Sequence, residues 1–301
     1  MKSDQVVARA RKLSRPYRIT QGSTFRLKDF NPDDTGEFTV EDKPRAVSAL
    51  QSGVEALTKL QDVLYASDRW SVLLIFQAMD AAGKDSSIKH VMSGVNPQGC
   101  EVHSFKAPTS EELDHDFMWR CMTRLPQRGR IGIFNRSYYE EVLVVRVHEA
   151  ILRSQKLPPA LVTKRIFKDR CEDIRNIERY LARNGVAICK FYLHVSKKKQ
   201  KERLLERIEK PEKNWKVSAA DAGERAYWDG YMTAYEEAIQ RTATGDAPWY
   251  VVPADHKWFT RLVVASAVVE TIAALDLRYP EVDAAKRKEL VRAKRALLGS
   301  P

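Results

Sequence analysis

The chain has 301 residues, 44% of them hydrophobic, which is enough for one large core or two modest ones. Fifty-one Lys and Arg against 40 Asp and Glu give a net charge of +11, a balance that favours anionic partners: nucleic acid, polyphosphate, acidic lipid or nucleotides. The four cysteines, Cys100, Cys121, Cys171 and Cys189, contain no Cys-x-x-Cys, which argues against a zinc ribbon or redox pair and for reduced thiols in a cytoplasmic protein.

Residues 1–43 mix charges with Gly, Pro and Asp and read as an irregular arm lying on the domain. No signal-peptide apolar run is present there, and the best apolar stretch, 262–275, is interrupted by Glu270 and too short for a bilayer, so no membrane association is expected. The main domain spans 44–280, followed by a basic tail, 281–301. It opens on an amphipathic helix over 44–66, with Val47, Leu50, Val54, Leu57, Leu60, Val63 and Leu64 at three- and four-residue spacing. Strands follow at 71–77, 100–105, 130–134, 186–195 and 248–253. Helices are predicted at 109–124, 138–150, 160–184, 197–209 and 256–277, with Thr109 to Glu112 and Ser196 as capping sites. This alternation predicts a five-stranded parallel α/β sheet flanked by helices, with its ligand at the carboxyl ends of the strands. The polar, basic segment 209–225 sits where a mobile lid would cover that edge.

The first strand runs into Ala78-Met79-Asp80-Ala81-Ala82-Gly83-Lys84-Asp85-Ser86-Ser87. Strand, small-residue loop, Gly-Lys and helix form the layout of a phosphate cradle: backbone N–H groups and a helix N-terminus converge, and a lysine adds a full charge. Ala78 and Asp85 depart from the usual Gly-x-x-x-x-Gly-Lys-Ser/Thr pattern. Asp80 places a carboxylate inside an anion site, an arrangement best explained by a magnesium ion bridging it to phosphate oxygens.

A second constellation, Asn135-Arg136-Ser137-Tyr138-Tyr139-Glu140-Glu141, follows the third strand and so reaches the same edge. Arg136 offers a bidentate fork to phosphate. Asn135 has only a neutral oxygen for a metal or its waters. Glu140 either binds metal or, with Glu141, charges a first helical turn. Lys106 also follows a strand and faces the same edge, but alone it reads as a surface charge. On the helix 160–184, Arg175, Arg179 and Arg183 share a face and read either as a polyanion track or as a solvated, salt-bridged surface.

Taken together, Gln77 to Asp85, Asn96-Pro97-Gln98-Gly99, Ser104 to Thr109, His115 to Arg120 and Phe134 to Val142 stand in the order and spacing of family-2 polyphosphate kinases, which the chain resembles from about residue 25 to 280. Trp215 to Ser218 with Arg225, Trp228 and Tyr231 resembles that family's lid. The resemblance implies a thymidylate-kinase-like phosphate-loop fold and Mg²⁺-dependent phosphoryl transfer between inorganic polyphosphate and nucleoside mono- and diphosphates, with Mn²⁺ as a substitute metal. It implies Asp80, Lys84, Asn135, Arg136 and Glu140 as catalytic residues and Asp80 and Glu140 as metal ligands. Phosphate and substrate contacts fall to Ala81, Ala82, Gly83, Asp85, Ser86, Lys106, Arg120, Lys216 and Arg225. Asn135 with Glu140 resembles the subgroup that accepts both AMP and ADP, and family members are commonly homo-oligomers. The rivals are an ATP-dependent nucleotide or small-metabolite kinase of the same fold, and a nucleic-acid-binding protein, for which no binding motif is present.

Overall fold

Every residue of the strand Ser71–Gln77 is buried, as a strand covered on both faces requires. In the computed structural model, which describes residues 3–215 and 219–299, this strand lies inside a six-stranded sheet. The strands are β1 (Arg18–Ile19), β2 (Ser71–Gln77), β3 (Cys100–Ser104), β4 (Ile131–Asn135), β5 (Val186–His194) and β6 (Trp249–Pro253), in the order β1-β6-β5-β2-β4-β3. β3, β4, β2, β5 and β6 pair in parallel, while β1 is antiparallel to β6. The sheet is therefore mixed, not the five-stranded parallel sheet expected. Two residues between 3₁₀ turns carry no periodicity from which β1 could be read.

The helices are α1 (Ser3–Ser14), α2 (Lys43–Ser67), α3 (Lys84–Val91), α4 (Ser110–Leu113), α5 (Trp119–Met122), α6 (Val144–Val147) and α7 (Glu149–Ser154). They continue with α8 (Ile166–Arg183), α9 (Lys197–Glu209), α10 (Pro211–Asn214), α11 (Ala219–Glu224), α12 (Trp228–Thr242), α13 (Lys257–Ala273) and α14 (Ala284–Gly299). Neighbouring residues of β5 point to opposite faces. Lys190 meets Glu178 of α8 and Thr242 of α12, whereas Cys189 meets Thr271 of α13, so α8 and α12 cover one face and α13 the other. α1, α2 and α3 pack on α13. Sandwiched this way, α13 is apolar almost all round: Leu262 to Ala265 and Ala267 to Val269 are buried.

Several expected helices break for local reasons. The stretch 109–124 divides into α4, opened by a full Thr109–Glu112 capping box, and α5. Between them Asp116 Oδ1 accepts from the Met118 N–H at 2.9 Å and starts a new turn. Residues 138–150 form a 3₁₀ turn, Tyr138–Glu141, capped by Ser137, and then α6 and α7, because Val142 and His148 leave helical angles. α8 begins only at Ile166, after Pro159–Leu161 make a 3₁₀ turn. α9 and its Ser196 cap fall where expected. The arm holds a 12-residue helix, α1, tied to the core by Ser14 Oγ donating to Glu270 at 2.5 Å. α14 is exposed along its whole length. No helix of the described residues is long and apolar enough to cross a membrane.

Candidate active site

The carboxyl ends of β2 and β4 present two loops side by side. After Gln77 the chain turns through Ala81 at φ 61° and Gly83 at φ 109° before α3 begins at Lys84. A Cβ on Gly83 would meet nothing within 4 Å, so glycine is needed there for its backbone angle, not for space. No side chain caps α3, which leaves its first N–H groups for a ligand.

The loop's carbonyls are held from beneath by α9. Arg203 is buried and donates from Nη1 to Ala81 O (3.1 Å) and Ala82 O (2.9 Å), and from Nη2 to Ala254 O (2.6 Å) and Asp255 O (3.0 Å). Gln200 Nε2 donates to Asp80 O at 3.1 Å, and Gln200 Oε1 accepts from Arg225 Nη1 at 2.6 Å. With three of its carbonyls bound by α9, the loop and the uncapped start of α3 offer N–H groups to an approaching anion.

Above the loop, Arg136 forks between two carboxylates. Its Nη2 lies 3.0 Å from Asp80 Oδ1 and its Nη1 3.0 Å from Glu140 Oε2. The backbone of Arg136 is left-handed, φ 65°, and its N–H bonds to Phe76 O at 3.0 Å, so the turn out of β4 is registered directly on β2. The Glu140 charge above all, and Asp80 after it, hold the guanidinium firmly protonated against the cost of burial. With its amide oriented so that nitrogen faces the carboxylate, Gln77 donates to Glu140 Oε1 at 2.8 Å and accepts from Ser137 N and Oγ at 3.1 Å, which fixes the carboxylate's second oxygen. Asn135 Nδ2 donates to Asp85 Oδ1 at 2.8 Å.

Lys84 is half-buried and donates to Ala78 O at 2.9 Å. Burial, with the Arg136 charge adding to it, pulls its pKa down to about 8, against Asp80, Glu140 and Asp85. Its folded value lies below the ordinary one, so the charged form costs stability below about pH 8, and that cost is relieved between there and 10.5. Anion affinity runs the other way. Titration of the free protein with tripolyphosphate should weaken as pH rises through about 8, and a Lys84→Gln variant should lack that step.

The structure thus brings Asp80, Ala81, Ala82, Gly83, Lys84, Asp85, Ser86, Asn135, Arg136 and Glu140 to one place. Lys106 is exposed on the neighbouring strand end, where its carbonyl accepts from Arg120 Nη2 at 2.7 Å. Arg120 is engaged within the protein, 3.4 Å from Glu112 and 5.2 Å over the Phe105 ring. Arg225 also binds Lys197 O at 3.0 Å, so it braces α9 and, through Gln200, the loop. Lys216, with Val217 and Ser218, lies outside the described residues. Next to it, α11 is tied down by Glu224, whose Oε2 accepts from Tyr231 OH at 2.7 Å and lies 3.0 Å from His148 Nε2. Glu141 points away from the site to the buried Arg170, and Arg175, Arg179 and Arg183 are exposed on the outer face of α8.

Gln77, Gln200, Arg203 and Arg261 are absent from the sequence-derived set. The last donates from Nη2 to Ser86 Oγ at 2.7 Å. The charge run 197–207 hid the one available signal: Gln200, Arg203 and Leu204 fall at three- and four-residue spacing and form the buried face of α9.

Three carboxylates, Asp80, Glu140 and Asp85, offer hard oxygens suited to Mg²⁺. No group of three or more protein ligands that would hold a metal by itself occurs among the described residues. Such an ion would need phosphate oxygens and waters to complete its shell, the usual habit of Mg²⁺ at nucleotide sites.

Residues 40–280 match the family described as Polyphosphate kinase 2. The chain is 51% identical over 286 residues, 95% of itself and 98% of its relative, to an ADP-polyphosphate phosphotransferase of Rhodopseudomonas palustris. It is 44% identical over 275 residues, 91% of itself and 98% of the relative, to an AMP/ADP-polyphosphate phosphotransferase of Meiothermus ruber. The crystal structure of a polyphosphate kinase 2 from Arthrobacter aurescens superposes with a TM-score of 0.81 at 38% identity, covering 91% of this chain and 95% of that one. With a phosphate cradle, an arginine forked between two carboxylates and this similarity over nearly its whole length, the chain belongs to the polyphosphate kinase 2 family.

Proposed function

We propose that this protein is a polyphosphate-dependent nucleotide kinase that moves phosphoryl groups reversibly between inorganic polyphosphate and AMP or ADP, on a thymidylate-kinase-like phosphate-loop fold. The observation that carries it is the Arg136 fork at 3.0 Å from both Asp80, within the phosphate loop, and Glu140. Phosphoryl transfer needs little covalent help. It needs aligned oxygens and positive charge where negative charge is spread in the transition state. Lys84 and the loop N–H groups bind the anion being divided. Arg136 stabilises the group in flight, and its two carboxylate partners aim it. Asp80 and Glu140 would hold the divalent cation, Mg²⁺ or Mn²⁺, which when bound neutralises phosphate oxygens.

Asn135 bears on the acceptor. Its amide donates to Asp85 at 2.8 Å, a contact that an aspartate in its place would turn into repulsion between two carboxylates. The neutral residue keeps negative charge low where a monophosphate would enter. The 51% identical relative is named for ADP, and the 44% identical one for AMP and ADP.

The deciding experiment supplies polyphosphate and Mg²⁺ with AMP alone or ADP alone and follows nucleotide products. AMP should yield ADP and then ATP, and ADP should yield ATP. Product from ADP alone would remove AMP as an acceptor, and product from neither would overturn the polyphosphate kinase reading.

A further inference from the structure

The two loops of the site are joined by a second route, apart from the Arg136 fork. His148 stands where α6 gives way to α7, on the segment that leaves Glu140. Its Nε2 lies 3.0 Å from Glu224 Oε2, at the end of α11, and 3.3 Å from Tyr231 OH in α12. Tyr231 OH donates to the same Glu224 oxygen at 2.7 Å, and the Tyr227 ring meets the imidazole edge-on, with centroids 4.6 Å apart. Burial, and after it the Glu224 contact, raise the Tyr231 pKa, so the hydroxyl remains a donor. An ionised carboxylate only accepts, so the imidazole presents a proton at Nε2 in this contact.

Glu224 is followed directly by Arg225, whose Nη1 donates to Gln200 Oε1 at 2.6 Å. Gln200 Nε2 donates to Asp80 O at 3.1 Å, and Asp80 Oδ1 lies 3.0 Å from Arg136. Arg136 pairs with Glu140 at 3.0 Å, and from Glu140 the chain leads through α6 back to His148. The contacts therefore close a ring through the turn after β4, α6, α11, α9 and the phosphate loop. The Arg136–Asp80 pair is partly exposed and weak by itself. Within the ring each member is held from two directions, so the spacing of the loop from Arg136 no longer depends on that pair alone. Misplacement of reacting groups by about 1 Å can cost about a hundredfold in rate.

We propose that His148 is a positioning residue for phosphoryl transfer: through Glu224, Arg225 and Gln200 it fixes the phosphate loop relative to Arg136 without touching the substrate. This rests on the polyphosphate kinase reading above.

The test compares the full chain with His148→Phe, which keeps a ring against Tyr227 and loses the donor, and His148→Gln, which keeps a donor and loses the ring. α6 stays docked in both, because Arg146 Nη2 still reaches Glu237 of α12 at 2.5 Å. With polyphosphate, ADP and Mg²⁺, His148→Phe should lower kcat about ten- to a hundredfold and leave both KM values within about threefold, and His148→Gln should recover most of the loss. In a Gln200→Met background His148→Phe should cost less than about twofold more, since the ring is already open. Losses that multiply in the double variant would overturn the proposal. So would a loss carried by KM, which would make His148 a substrate contact, or a His148→Gln variant no better than His148→Phe. Hydrogen exchange supplies a readout without turnover: in His148→Phe the amides of residues 78–86 should exchange several-fold faster, with β6 unchanged. Faster exchange confined to α11 would overturn the link to the loop. If the unmodified protein transfers nothing from polyphosphate, the broader reading fails, and the exchange rates still judge His148.

Discussion

Asp80→Asn should lower polyphosphate-dependent turnover by about a thousandfold or more while leaving the protein folded. The substitution changes no volume and no backbone contact: Asp80 O stays with Gln200, and the adjacent Ala81 and Ala82 carbonyls stay with Arg203. What it removes is the charge that draws Arg136 over the loop and, with Glu140, offers a second hard oxygen to a divalent cation. Asn presents a neutral oxygen to both. Because the side chains of Asp80 and Arg136 are 34% and 38% exposed, their pair contributes at most about 1 kcal/mol to folding, so the melting midpoint should move by no more than about 2–4 °C. Parallel measurement of ATP formation and thermal unfolding separates the two effects. Near-normal turnover in the variant would take Asp80 out of the chemistry.

The largest effect on stability should come from Lys190→Met. Lys190 is fully buried in β5, where its Nζ donates to Glu178 Oε2 (2.5 Å), Thr242 O (2.9 Å) and Tyr139 OH (3.0 Å). Glu178 also accepts from Tyr138 and Tyr139 through Oε1, at 3.0 and 2.8 Å. Burial pushes the Lys190 pKa down and that of Glu178 up, each resisted by the other's charge. Removing the ammonium strands a carboxylate in the core, at a cost of about 3–5 kcal/mol. A drop in melting temperature of roughly 6–20 °C is expected. Lys190→Met with Glu178→Leu should recover much of the loss, since a buried pair and a well-packed apolar pair differ little in stability. Calorimetry of the three proteins checks both statements.

Those two cases also mark how far the sequence was legible. β2, β4, β5 and β6 are short apolar runs, and each was placed within about a residue. The phosphate loop and the Asn135–Glu140 turn were visible because each is contiguous and follows such a run. Lys190 passed as one residue of an apolar strand because its partner lies in another element. Arg203 and Arg261 act on residues more than a hundred positions away, and only the packing of α9 and α13 on the loop brings them there. α4 and α5 were read as one helix because the apolar spacing continues across Asp116, whose side chain breaks it by a local hydrogen bond.

The two-residue strand β1 has a meaning beyond its size. A sheet edge with unpaired N–H and C=O groups is a template on which other chains build, and β6 carries Trp249, Tyr250, Val251 and Val252, all buried. Arg18 and Ile19 occupy the start of that edge, and α1, the 3₁₀ turns and the rest of the arm are laid alongside α12 and α13. The other edge, β3, alternates Glu101 and His103 with an exposed Val102 and is short and charged. The arm thus covers the Trp249–Tyr250 end of that edge, and chains shortened from the N-terminus are expected to aggregate more readily.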